Sequence, residues 1–261
     1  MMVVADVIAE VEAVAPPDTA MEWDNVGLQV GSLDAPCHGV LACLEVTREV
    51  ADEAAQVGAD LIVSHHPLIF SPLTALRTDS PLGALIRRLL QDGTAVYAAH
   101  TNLDAAPDVG TAAALAEALG LDDYAPLLME GEVGMGAMGK MPEALSVSRL
   151  VARVQRALQP TRTTVVGQSD RTVERLALMP GSGGDAVPQA AGAGADALVC
   201  GDLKHHDALD AIALGLTVID ATHYATERPV VAKLTTYLRE HLPDDVAVLA
   251  SEVVTDPFTG R

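Results

Sequence analysis

Apolar positions along the chain change period in a regular way. Val4, Val7, Ile8, Val11 and Val14 recur at helical spacing, which predicts an amphipathic helix over 3–15, stopped by Pro16 and Pro17. The stretch EWDNVGLQVGS (22–32) leads into HGVLACLEVT, a predicted strand. EVADEAAQVG (49–58) reads as a helix ending at glycine, and DLIVSHH as the next strand. PLGALIRRLLQDG (81–93) is a helix closed by Gly93, TAVYAAH (94–100) a strand, and GTAAALAEALG (110–120) a helix. Strands alternating with helices predict an α/β domain with a largely parallel sheet.

The pattern breaks over 121–145, which is rich in Met and Gly and reads as loop. A second alternation follows. SVSRLVARVQRAL is a helix, TTVVG and RLALMP are strands, and GSGGD opens a helix that runs to Gly194. ALVCGD and TVID are strands, RPVVAKLTTYLREHL a closing helix and VAVLASEVV a last strand. The expected organisation is therefore two α/β domains, 1–124 and 125–227, with 228–261 returning to the first. The halves share a pattern without a clear sequence repeat.

Composition narrows the class. The 261 residues suffice for one large or two ordinary domains, and 49% apolar content supplies a core. Aromatics are only 3%, so that core is built from Val, Leu, Ile and Ala. Sixteen basic residues against 36 acidic ones leave a net charge of −20, which opposes nucleic-acid binding. Lys140, Lys204 and Lys233 are the only lysines, and dense Asp and Glu with scarce Lys is the expected surface of a salt-adapted (halophilic) protein. Cys37, Cys43 and Cys200 form no CxxC pair, as expected of reduced thiols in the cytoplasm. MMVVADVIAEVEAV carries acids where a signal peptide carries positive charge, and no apolar run reaches the ~18 residues of a membrane span.

The histidines are not scattered. His65 and His66 end one predicted strand; His100 ends another and precedes Asp104 in HTNLD. His205 and His206 follow ALVCGD, and His223 follows TVID with Glu227 four residues on. In a parallel sheet the strand carboxyl ends line one crevice. Taken singly, each histidine fits a hydrogen-bonded structural role, Asp104 a turn or cap, and Glu227 a solvated helix position. Together they form a mixed imidazole and carboxylate set that suits Zn, Mn, Fe or Ni better than Ca or Mg. The set exceeds one three-ligand metal and suits two metals about 3.5–4 Å apart. Adjacent side chains on an extended segment point to opposite sides, so His65 and His66 need not share one ion.

Other motifs are weaker. GMGAMG (134–139) spells GxGxxG but lacks the preceding strand and immediate helix of a dinucleotide fingerprint. In GSGGD, Gly181, Gly183 and Gly184 fit either a phosphate-binding loop or a tight turn capped by Asp185. Cys200 reads as a buried structural thiol in preference to a nucleophile.

EWDNVGLQVGS, SHHPLIF, HTNLDAAPDVG, GSGGD, GDLKHHDALDA, DATHYATE and SEVVTDPF, in that order over nearly the whole chain, resemble the dinuclear metal-centre hexameric protein family, whose members are commonly called GTP cyclohydrolase 1 type 2 homologues. The resemblance implies two related α/β domains with a metal pair in the cleft between them, and a toroidal homohexamer. It implies His65, His66, Asp104, His223 and Glu227 as ligands of two divalent transition-metal ions. His100 and His206 would serve in ligand support, substrate contact or proton transfer. LACLEVT departs from the resemblance, since similar proteins usually carry Asp in place of Glu45. The implied reaction is hydrolytic opening of the guanine imidazole ring of GTP with formate release. The same residues would equally serve hydrolysis of another phosphorylated or nucleotide-like substrate, or a non-enzymatic metal-binding or regulatory ring.

Overall fold

Three predicted strands of the first half, Gly39–Cys43, Leu61–Ser64 and Ala95–Ala98, are buried at every position. Strands of a parallel sheet covered on both faces read as unbroken apolar runs, which is why these stand out in the sequence. They pair in parallel. Ala247–Ala250 adds in parallel beyond Gly39–Cys43, and Gly27–Val30 adds antiparallel beyond Ala95–Ala98, making a five-stranded sheet. The computed structural model describes residues 2–258 except residue 132.

Helices Arg48–Val57 and Pro81–Asp92 start where the hydroxyls of Thr47 and Ser80 accept amide protons from Val50 and Gly83. Both end at glycines in the left-handed region, Gly58 and Gly93, where a side chain would be strained. Their apolar faces join Leu41, Ile62 and Val96 in one core. This compact unit comprises Met1–Val109 and Val231–Thr255.

The second unit comprises Gly110–Val230 and Asp256–Arg261. It begins earlier than the expected boundary at 124, because helix Thr111–Leu119 packs Leu115, Ala116 and Leu119 with Leu150, Leu176 and Val199. Its six-stranded sheet is mixed. Thr172–Ser182, Ala197–Gly201 and Thr217–Asp220 run parallel; Ala137–Ser146 flanks them antiparallel on one side and Thr164–Val166 on the other.

The segment expected to be loop is strand. Leu128–Glu130 pairs antiparallel with Val133–Met135, and Ala137–Ser146 is a long strand between Tyr124–Ala125 and Thr172–Ser182. Pro142 is tolerated because the register slips between Val173 and Arg175, opposite residues 140–145. Gly139 lets the neighbouring strand approach: an added Cβ would lie 2.1 Å from the Asp123 carbonyl oxygen. No helix among the described residues is long and apolar enough to cross a membrane.

Candidate metal centre

In the first unit, the strand Leu61–Ser64 hands on directly to the histidine doublet. The amides of His65 and His66 still donate to the carbonyls of Cys43 and Leu44, at 3.1 and 2.8 Å, so both residues are fixed at the carboxyl edge of the sheet. The His65 side chain is 1% exposed. Its Nδ1 lies 3.1 Å from the Ala99 carbonyl oxygen. A carbonyl only accepts, so Nδ1 carries the proton and Nε2 the lone pair. That Nε2 is 3.7 Å from Asp104 Oδ1.

The other two imidazoles are anchored in the same way. Nδ1 of His66 is 3.1 Å from Glu45 Oε1, and Nδ1 of His100 is 2.9 Å from Asp24 Oδ1. A carboxylate beside a ring nitrogen fixes the tautomer and raises the basicity of the opposite nitrogen. The rings of His65, His66 and His100 lie 4.9–5.4 Å apart between centroids. One nitrogen from each can be chosen so that all three lie within 4.8 Å of one another. Three imidazoles converging with a carboxylate alongside fit a borderline-soft divalent metal.

The Asp24 side chain is shielded from solvent. Burial acts to raise its pKa, but hydrogen bonds from His100 and from the hydroxyl and amide of Thr101 hold it well below the usual carboxylate range. It therefore stays charged and keeps a proton on His100 Nδ1.

The second unit has a cluster of its own, built on His223 and Glu227. They lie one turn apart on the short helix His223–Glu227, with His223 Nε2 3.0 Å from Glu227 Oε2 and His223 Nδ1 2.9 Å from Asp202 Oδ2. The backbone leading into this helix is strained. Thr222 sits at φ 69°, ψ 152°, a region favoured by glycine, and Asp202 has φ 52°. Asp220 accepts the Thr222 amide at 2.9 Å, and the Thr222 hydroxyl caps the helix. Close approach does the rest. A Cβ on Gly201 would lie 2.4 Å from the His223 amide nitrogen, and one on Gly181 would lie 2.1 Å from Glu227 Oε1.

The same close packing extends to Gly181, Gly183 and Gly184 of GSGGD. The strand continues through Ser182, and the amides of Gly181 and Gly183 already donate to Thr226 Oγ1 and the Gly201 carbonyl, both at 3.0 Å. Added Cβ atoms at Gly183 and Gly184 would strike Cys200 and Asp207. The glycines make room for packing and for the Glu227 carboxylate. His205 and His206 stand exposed at the start of helix His205–Ala213, with rings 5.4 Å apart. Cys200 is fully buried, and burial pushes its thiol pKa far up, against a nucleophilic role.

Sequence reasoning missed Asp24 and Asp202 as partners of His100 and His223, and noted Glu45 only as a departure. Asp24 had a signal: it sits in EWDNVG, among polar residues that belong to no predicted element. Asp202 had none, because its role depends on a left-handed backbone turn.

Comparison with known proteins agrees in extent. The 258-residue alignment with the GTP cyclohydrolase 1 type 2 homolog of Clostridium perfringens is 32% identical and covers 97% of each chain. The GTP cyclohydrolase 1 type 2 homolog of Streptomyces coelicolor is 35% identical, over 98% of this chain and 94% of the relative. The crystal structure of a Bacillus cereus protein related to NIF3 superposes with a TM-score of 0.93 at 28% identity, covering 99% of both chains. The sequence profile of Duf34/NIF3 (NGG1p interacting factor 3) matches residues 2–257, and the chain belongs to that family.

Proposed function

We propose that the chain binds two divalent transition-metal ions through His65, His66, Asp104, His223 and Glu227. It acts as a metal-dependent hydrolase of the GTP cyclohydrolase 1 type 2 kind, opening the guanine imidazole ring of GTP with release of formate. The observation that carries the metal reading is His65, buried, with Nδ1 held by the Ala99 carbonyl and Nε2 facing Asp104. The reaction rests on the names of the relatives. Divalent ions in this donor set would supply Lewis acidity and a lowered pKa for water.

The chain's own groups supply the remainder. His100, with its Nδ1 proton held by Asp24, offers its other nitrogen to accept and return a proton. Asp202 and Glu45 keep His223 and His66 oriented. The reading includes a cytoplasmic, salt-adapted homohexamer. Light scattering in high salt would then give six times the 27.1 kDa of one chain.

The test is formate release from GTP by protein loaded in turn with Fe, Zn, Mn and Ni, across a range of salt. Formate is expected from the wild type and not from His65→Ala. Its absence under every condition overturns the proposed reaction.

A further inference from the structure

The chain has one tryptophan and two phenylalanines in 261 residues. It leaves Trp23 61% and Phe70 55% exposed, side by side, with ring centroids 5.9 Å apart. Both rings also approach His100, at 6.1 and 6.4 Å. Scattered exposed apolar residues need no explanation, but this pair is held in place by polar side chains. Asn25 Nδ2 donates to the Ile69 carbonyl. Gln29 Oε1 accepts the Ile69 amide at 2.8 Å, while its Nε2 donates to the Asn25 carbonyl at 2.7 Å. Next to Trp23 in the chain, Asp24 takes hydrogen bonds from His100 and Thr101. The backbone next to each ring is thus pinned, and both rings face solvent beside the histidine cluster.

We infer that Trp23 and Phe70 form a stacking platform for the planar heteroaromatic ring of the substrate, a purine base, next to His65, His66 and His100. This deepens the GTP reading and rests on it. Stacking is the interaction that two tilted aromatic faces offer, and any purine presents a π-face to them. The net charge of −20 works against holding a nucleotide by its phosphates alone, and stacking on the base adds affinity that does not depend on charge. The His100 edge sets the platform beside the group that would move a proton.

Trp23 is the sole tryptophan, so its emission reports on the platform directly. Metal-loaded protein is titrated with GTP, guanosine and inorganic triphosphate. Guanosine and GTP should change Trp23 emission saturably, and inorganic triphosphate should not. Phe70→Ala should weaken GTP binding about tenfold, within the range of about 5- to 150-fold for one stacked base. Its metal content should be unchanged, and Phe70→Tyr should restore affinity. The platform is overturned by emission that ignores guanosine and GTP, or by a Phe70→Ala variant that binds GTP like the wild type. It is also overturned if emission follows protein concentration instead of ligand, which would mean that a second copy covers the rings. Formate release without an emission change overturns the platform alone; an emission change without formate overturns the reaction alone.

Discussion

Glu45 Oε1 accepts a hydrogen bond from His66 Nδ1 at 3.1 Å, while its other oxygen accepts the Thr255 hydroxyl. One carboxylate thus ties a candidate ligand to the segment that follows the last strand. Such partners are typically worth about 10–100-fold in metal affinity. Glu45→Ala is expected to weaken metal binding by about that factor, with the circular dichroism spectrum unchanged. Glu45→Asp, one methylene shorter, reaches His66 or Thr255 but not both, and should fall between the two. Competition titration with a chromophoric chelator measures it; equal affinity in all three proteins would remove Glu45 from the site.

Gly181 and Gly192 make a controlled pair. Alanine at 181 meets the Glu227 carboxylate and must adopt φ +67°, whereas at Gly192, in helix Val187–Gly192, nothing lies within 4 Å. Gly181→Ala should cost about 1–2 kcal/mol in strain and lower metal affinity. Gly192→Ala should gain up to about 1 kcal/mol in helix propensity and leave affinity alone. Urea unfolding, alongside metal titration, separates the two effects. A Gly181→Ala variant with intact affinity would mean that Glu227 is not a ligand.

Metal binding should show in stability. Free metal at a hundredfold excess over Kd adds about 2.7 kcal/mol, or roughly 5–10 °C in Tm for a chain of this size. Differential scanning fluorimetry with and without Zn or Mn should show that rise in the wild type and lose it in His65→Ala.

These predictions depend on residues with unequal traces in the sequence. Buried strands such as Leu61–Ser64 announce themselves as apolar runs, and their ends place His65, His66 and His100 without any knowledge of tertiary contacts. The i, i+4 spacing of His223 and Glu227 likewise needs only a helical turn, which the structure contains. Ala137–Ser146 left no such trace. Its burial alternates irregularly, and Gly139 and Pro142 sit inside it because a neighbouring strand and a register slip accommodate them. Thr222 is the extreme case. No propensity places a β-branched residue in a glycine-favoured region, and only the Asp220 carboxylate and the helix cap explain it.

Asp196 gives a pH-dependent test away from the metal ligands. Its carboxylate accepts the Glu174 and Arg175 amides and the Arg171 guanidinium, all at 2.9 Å. Burial acts to raise its pKa, but these bonds and the Arg171 charge hold it below the ordinary value of 3.8. A depressed folded pKa stabilises the fold above the unfolded value, and that stability disappears as pH falls through the folded value. Asp196→Ala should therefore cost about 2 kcal/mol at neutral pH, with the gap to wild type narrowing below pH 3.8. A gap of constant size between about pH 6 and pH 3, values that bracket the ordinary aspartate range, would assign the loss to packing.

Net charge sets the last expectation. With 36 acidic against 16 basic residues, the folded chain repels itself in dilute buffer. Exposed pairs such as Arg77–Asp79 and Arg88–Asp52 offset little of this, because surface ion pairs are worth about 0–1 kcal/mol each. At 1 M salt the screening length falls to about 3 Å, shorter than the spacing of most surface charges, so repulsion is removed while the buried strands are unaffected. The unfolding midpoint should rise by several degrees between about 0.1 and 2 M KCl, a range over which screening becomes nearly complete. An osmolyte without charge, sucrose, stabilises through exclusion from the surface instead, and should do so equally in low and high salt. A midpoint indifferent to KCl would show that the acidic surface is not an adaptation to salt.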